Sequence, residues 1–372
     1  MAQTVVGVGD PLAIKKFGAF TAVDVARKSY WNKKFMGVGP EAETPIQTLL
    51  NLENDAGDTI TYDLFMQIKG APTEGDKILR GNEEDLKRYT DSISIDQARH
   101  GVNTGGKMTR KRTIHDLRKI ARARLTDWWA RLFDELFFMY LSGKRGTNND
   151  YILGTDYIGF AGNALVPPDS QHIMYGGAAT SKASLVATDK FDLKLIDRAQ
   201  TRASTMGGGT QGVPRIQPCS IDGESRFVVV MHDFQEFDLR TNTATGQWLD
   251  IQKAAATSEG RNSPIFKGNC GMYNKTVLQT HEATILDNTY GAGANVSSAR
   301  ALFMGRQAAV VSFGSTGSGL RFDWTEEKED RGNQVVISTG AIFGIKKTAF
   351  TIDGVSRDFG VMALDTAAAD PG

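Results

Sequence analysis

Between residues 113 and 142, apolar side chains recur as Ile114, Leu117, Ala121, Leu125, Trp128, Leu132, Leu136 and Met139, always three or four positions apart. That period is the signature of one helix with a buried stripe. Thr113 and Asp116 carry capping-box spacing, with Asp in place of the usual Glu or Gln, and Gly143 follows as a stop. At ~1.5 Å per residue such a helix spans ~45 Å, well past the usual ~3–4 turns. An element of that length needs a long surface to lie along, so it is read as a structural spine.

The segments before the spine lack the means to form a core. Residues 1–47 read as an arm, with a short helix expected over 21–31 beside the Gly/Pro-rich stretch FMGVGPEAETP. In residues 59–69 one face collects Ile60, Tyr62, Leu64, Met66 and Ile68, the strict alternation of a strand. At ~3.3 Å per residue it reaches ~30 Å. A loop with Pro72, Gly75 and Gly81 follows and carries the acids Glu83, Glu84 and Asp85, and a second strand is expected over 92–100. A hairpin by itself is marginally stable, so this one is expected to pack on a partner chain.

After the spine, residues 144–187 are rich in loops. A helix is expected over 191–206, capped by Thr188 or Asp189 and stopped by Gly207, Gly208 and Gly209. Another is expected over 246–256. Strands are expected at 227–231, 276–279, 307–313, 334–338, 341–345, 349–352 and 360–364, giving a mixed α+β chain without internal repeats.

Composition removes several functional classes. Lys plus Arg number 43 and Asp plus Glu 43, so the net charge is zero, which lowers the prior for a nucleic-acid-binding protein. Two cysteines, Cys219 and Cys270, are too few for a disulfide scaffold. The N-terminus lacks a signal-peptide layout, and no apolar run nears the ~18 residues of a membrane span. Expression in a cytoplasm and no membrane partner are expected. The 40 glycines imply many turns and close backbone approaches.

No motif reads as a reaction centre. Gly101 to Lys107 fits the G-x-x-x-x-G-K of a phosphate-binding loop, and an NTPase is one alternative reading. Met108, however, stands where a hydroxyl must bind Mg²⁺, and the spine starts too late to receive phosphates. Gly291-Ala-Gly293 and Gly37-Val-Gly39 lack a βαβ context and read as turns. The five histidines are scattered; His232, Asp233 and Glu236 supply two metal ligands at most. The stretch from Gly314 to Gly319 has Thr316 where a nucleophile elbow needs serine. No cofactor, metal or catalytic residue is assigned. The basic run Lys107, Arg110, Lys111, Arg112, Arg118, Lys119, Arg122 and Arg124 suits a solvated helix face, a monomeric DNA-binding protein, or a dock for a neighbour's acidic loop.

The order and spacing of several longer stretches decide among these. ARALFMGRQAAVVSFG, FDWTEEKEDRGNQVVISTGAIFGIKKTAF and RDFGVMALDTA resemble the major capsid proteins of tailed bacteriophages, in a family typified by short-tailed phages. GDTITYDLF, GNEEDLKRY, SISIDQARHGV and GESRFVVVMHDFQEFDLR resemble it as well, so the likeness covers nearly the whole chain and is weakest at 1–30 and 144–187. The resemblance implies the Hong Kong 97 capsid fold. Its parts would be an N-terminal arm (1–47), an extended loop (48–106) and a peripheral domain begun by 107–207. An axial domain (208–300) would follow, with the peripheral domain completed by 301–372. It implies a subunit that self-assembles into hexamers and pentamers of an icosahedral head, made in the host cytoplasm and residing in the virion. The extended loop would lie over a neighbour, setting Glu83, Glu84 and Asp85 against that neighbour's Arg118 and Arg122. Only a short arm precedes the first strand, so a separate scaffolding protein is expected and no N-terminal propeptide. A portal, packaged double-stranded DNA against the inner face and a decoration protein are further implied partners. Lys69, Lys77 and Lys87 stand where some relatives cross-link, but no cross-link is expected.

Overall fold

A computed structural model describes residues 11–39, 41–54, 57–66, 68, 70–207, 213–221, 223–242, 271–315 and 321–372. The spine is the helix Leu117–Ser142. It begins four residues later than the expected 113, because the Asp116 carboxylate accepts from the Arg118 and Lys119 amides and acts as N-cap. Ahead of it, Lys107–Arg112 forms a separate short helix. The elbow between them is set by the Thr113 hydroxyl, which accepts from the His115 amide, and it leaves Ile114 fully exposed, outside the expected stripe. From Ala121 onward the stripe is buried apart from the half-buried Trp128, and from Leu132 to Ser142 every residue is buried. The sequence there is apolar nearly all round, as a fully enclosed helix end needs. Gly143 ends it in the left-handed region (φ 70°), where a Cβ would lie 2.1 Å from the Val166 carbonyl oxygen.

The arm holds two helices, Pro11–Lys28 and Tyr30–Lys34, in place of the single one expected at 21–31. Ser29 breaks them by accepting from the Asn32 amide. Val25, Trp31 and Phe35 pack with Phe137 and Phe138 of the spine. Asp134 fixes this docking, accepting from the Ser29 hydroxyl at 2.7 Å and the Tyr30 amide at 3.0 Å.

Two sheets flank the spine. One runs Met36–Val38, Ile46–Leu49, Ala309–Phe313, Gln334–Lys347, Phe322–Glu329, with Asp96–Asn103 on the free side of the long strand. The strands expected at 334–338 and 341–345 are thus one, because neighbours on both sides hold its backbone straight through Gly340. The other sheet runs Gly271–Tyr273, Thr276–Thr280, Glu224–Met231, Val296–Met304, Val361–Ala367, Ile173–Tyr175. Cys219–Ile221 and Leu286–Tyr290 extend it. Its central strand alternates cleanly: Val228 and Val230 join the spine's core, while Phe227, Val229 and Met231 face the helix Leu193–Thr205. Asp192 caps that helix by accepting from the Leu195 amide at 2.9 Å. Asp189, one of the caps expected, binds the Val186 amide instead.

The expected boundary at 300/301 cuts the strand Val296–Met304, and the last strand, Val361–Ala367, returns to pair with it. Residues 301–372 therefore contribute to both sheets, because the chain crosses between them after Asp358. The helix expected at 246–256 lies outside the described residues. A helix not anticipated, Asp233–Thr241, is capped by His232, whose Nδ1 accepts from the Phe234 amide at 3.1 Å.

Candidate intersubunit surfaces

Within the segment expected as an extended loop, Thr59–Phe65 and Arg88–Ser94 form a hairpin, in register from Thr59 opposite Ser94 to Phe65 opposite Arg88. The strand expected to reach Lys69 stops at Phe65, and Lys69 lies outside the described residues. The second strand expected at 92–100 is two: the Ile95 amide turns aside to the Asp58 carbonyl, and pairing resumes at Asp96–Asn103 in the first sheet.

The hairpin's root is built like a core. Ile60 and Ile93 pack with Leu49, Leu52 and Val310. Asn163 clamps Ser94, donating to its carbonyl at 2.8 Å and accepting from its amide at 3.1 Å. Lys346 donates to Asp91 at 2.5 Å and to the Ser92 carbonyl at 2.8 Å, and the Tyr62 hydroxyl donates to Asp91 at 2.6 Å. Burial and the adjacent Asp91 carboxylate keep that hydroxyl protonated. Gly344 admits the root, since a Cβ there would meet the Ser94 carbonyl oxygen at 2.1 Å. Burial then fades outward along one face: Ile60 is buried, Tyr62 and Leu64 half-buried, Ile68 exposed. At the tip Ile78, Leu79 and Leu86 are all exposed, an apolar set that nothing among the described residues covers.

The expected site residues divide between tip and spine. Glu83 accepts from the Gly81 amide at 2.6 Å and Glu84 from the Gly70 amide, so two of the three acids brace the tip itself. Arg118 pairs with Glu326 at 2.7 Å, an acid also bound by the Trp324 indole N–H. Arg122 pairs with Asp24 of the arm at 3.2 Å. Neither acid was visible as a partner in the sequence, because each is brought in from a distant segment. Lys107, Lys111, Arg112 and Lys119 are exposed, and none is in an ion pair with an acid among the described residues.

The phosphate-loop motif is taken apart by its own pairing. Gly101, Val102 and Asn103 lie in a strand opposite Ser338, Ile337 and Val336. The Thr104 amide donates to the Val335 carbonyl and the Lys107 amide to Asn333 Oδ1. The Gly105 amide donates to Asn103 Oδ1, so three amides of the would-be cradle are consumed, and the helix beyond has six residues. His232 is a helix cap and Glu236 pairs with Arg240 at 2.6 Å; no cluster of three metal-ligating side chains occurs among the described residues. Gly291 to Ala294 form a turn, and residues 316–320 of the serine-rich motif lie outside the described residues.

One functional cluster escaped the sequence reading. Arg300 and Asp365, opposite each other on paired strands, make two hydrogen bonds of 2.6 Å. Arg300 also donates to the Ser142 carbonyl at 2.7 Å, and the Tyr290 hydroxyl donates to Asp365 at 2.6 Å. Burial opposes ionisation of Asp365, but the guanidinium outweighs it and holds the carboxyl below its usual range. Burial, with Arg300 nearby, lowers Lys144 to about 8. The network fastens the end of the spine to the second sheet. Its signal in the sequence was a charge inside each of two apolar strands, RALFM and VMALDT, which only a partner makes tolerable.

A long spine between two sheets, with a rooted hairpin whose apolar tip is bare, defines a subunit built to be completed by other subunits. The family model described as phage capsid protein matches residues 5–370, and the chain belongs to that family. The major capsid protein of Pseudomonas phage KPP25 is 26% identical over 395 residues, covering 96% of this chain and 100% of that relative. The capsid of Ralstonia phage GP4 superimposes with a TM-score of 0.84 at 50% identity, over 100% of both chains. The capsid of cyanophage Pam1, at 20% identity, TM-score 0.69 and coverage of 92% and 93%, shares the fold. The chain is a structural shell subunit, the major capsid protein of a phage, with the α+β capsid fold of Hong Kong 97 type. None of these likenesses supports a nucleotide-hydrolysing reading.

Proposed function

We propose that the chain builds, as hexamers and pentamers, the icosahedral head that encloses the double-stranded DNA of a tailed phage, and that it has no catalytic role. The observation that carries this is the hairpin: its root is packed and hydrogen-bonded like a domain interior, while its tip leaves Ile78 74% exposed and Leu79 60% exposed. A tip of that kind gains stability only against another chain. The reading keeps an arm (1–47) and an extended loop (48–106) and redraws the rest, because the segments 107–207 and 301–372, expected as peripheral, supply the strands Ile173–Tyr175 and Val361–Ala367 to the sheet of the segment 208–300, expected as axial. Glu83, Glu84 and Asp85 approach the basic start of a neighbour's spine, the surface that includes Arg118 and Arg122. Assembly in the host bacterial cytoplasm uses a separate scaffold and a portal, the inner face meets DNA without sequence preference, and a decoration protein can bind outside. Electron microscopy of the expressed chain, alone and with its scaffold, tests the reading: shells, tubes or hexamers are expected. A monodisperse monomer under both conditions would overturn it, and salt-dependent affinity of that monomer for DNA would favour the DNA-binding reading.

A further inference from the structure

We infer that Lys347 and Asp358 of one chain join in an intramolecular isopeptide bond, a covalent clasp where the chain passes from the first sheet to the second. The inference does not depend on the capsid reading. Lys347 ends the long strand Gln334–Lys347, and Asp358 ends the small hairpin of Ala349–Ile352 and Val355–Asp358 that follows it. Asp358 lies opposite Ala349 in that hairpin, and the Phe359 amide donates to the Thr348 carbonyl at 3.1 Å. This pairing brings the two side chains together in the interior, with Nζ 2.7 Å from Oδ1 and the side chains 1% and 2% exposed. The Asp358 amide donates to Asp169 Oδ2 at 3.0 Å, and His172 Nδ1 lies 3.0 Å from the same oxygen, so the aspartate is fixed through its backbone.

A permanent ion pair is the other use of such groups, and Arg300 with Asp365 shows what one requires. There the guanidinium binds both carboxylate oxygens and the Tyr290 hydroxyl adds a further bond. An ammonium at Lys347 would have three protons to place. Among the described residues, however, neither Lys347 Nζ nor Asp358 Oδ2 has a hydrogen-bond partner. Burial lowers the lysine and raises the aspartate, in each case against the pull of the other's charge. Both shifts favour the neutral amine and the neutral acid, the forms that react. With Nζ 2.7 Å from one oxygen, Cγ is at most one C–O bond further off, close to the ~3–3.5 Å of a near-attack pair. The amine lone pair attacks Cγ, one Nζ proton passes to the Oδ2 hydroxyl, and the Cγ–Oδ2 bond breaks to release water. Amine and acid become amide and water, so no oxidant or second molecule is consumed. A dry interior favours that direction, because it replaces two ionisable groups by one amide and expels the water.

Mass spectrometry of the folded, full-length wild-type chain tests the bond. The mass should fall short of the sequence by one water. Trypsin should release residues 347–357 and 358–372 as one branched peptide, uncut after Lys347. Lys347→Arg and Asp358→Ala should each restore the full mass and abolish the branch. Should a variant fail to fold, the branched peptide of the wild type still decides, since it reads the bond directly. A full mass with cleavage after Lys347 in the folded wild type overturns the inference. So does a water loss that fragment spectra place at Asp353-Gly354, where an aspartyl–glycine turn closes a succinimide instead. Either of those results leaves the capsid reading untouched, just as a wild type that fails to form shells would leave this bond untouched.

Discussion

Arg300 and Asp365 show how much a single pair can hold together. Both are buried, and the arginine also satisfies the Ser142 carbonyl at the spine's end. Arg300→Met would strand a carboxylate and a carbonyl in a dry interior, and is expected to destabilise the chain by about 3–5 kcal/mol in urea unfolding. The double variant Arg300→Met/Asp365→Leu should lose far less, since no charge remains unpaired. Equal losses in the two would mean that packing, not charge, holds this junction. Asp134 makes a prediction of a different sort. Burial raises its carboxyl from the ordinary 3.8 to about 6, against three hydrogen bonds from Ser29, Tyr30 and Trp31 that favour the charged form. The folded chain therefore holds this proton more tightly than the unfolded chain. Its contribution to stability is largest below about pH 4 and declines as pH rises to about 6, by on the order of 3 kcal/mol. Asp169 and Asp287, both held near 2, act in the opposite sense and only below that window. Asp134→Asn should flatten stability between about pH 4 and 6; an unchanged slope in urea midpoints across that range would place its origin elsewhere.

At the scale of elements, the root latch sets where the hairpin points. Lys346 joins the long strand of the first sheet to Asp91 and the Ser92 carbonyl on the hairpin, and Asp91 in turn holds Tyr62. Lys346→Met keeps the stem's packing and removes both bonds. Limited proteolysis at the hairpin is expected to speed up by about five- to thirtyfold, the equivalent of one or two kcal/mol of lost local stability, with global unfolding little changed. Unaltered cleavage would show that Asn163 and the Ile60–Ile93 packing suffice. The same elements show what the sequence could disclose. The spine's stripe was legible from Leu117 onward because its 3.6-residue period is local; its start was misplaced because Ile114 continues the period by coincidence while Asp116 caps the helix. The hairpin's alternation was legible for the same reason. What joins the elements was not. Arg118 finds Glu326 208 residues away and Arg122 finds Asp24 98 residues away, distances over which no periodicity carries information. The return of Val361–Ala367 beside Val296–Met304 was hidden likewise, since pairing depends on where the whole chain has travelled.

For the whole molecule, fold and assembly are carried by separable surfaces. The two sheets, the spine and the arm share a continuous core that draws nothing from residues 71–88, of which only Thr73 is even half-buried. The bonds at the hairpin's root, on Tyr62, Asp91, Ser92 and Ser94, all lie outside that segment. Replacing residues 71–88 by a Gly-Ser linker should therefore leave a soluble chain whose melting temperature falls by no more than a few degrees. A longer flexible connection adds little closure entropy, about 0.6 kcal/mol per doubling, and a shorter one of similar span adds less. Assembly should respond quite differently. The deletion removes Ile78, Leu79, Leu86 and the acids together, so every subunit in a lattice loses the same contact at once. Closed shells are expected to disappear while the monomer's circular dichroism and melting persist, as read by electron microscopy and calorimetry on one preparation. Wild-type-like shells from the deletion would show that the tip is dispensable and that other surfaces hold the lattice. A variant that fails to fold would show that the core reaches further into the loop than its burial indicates.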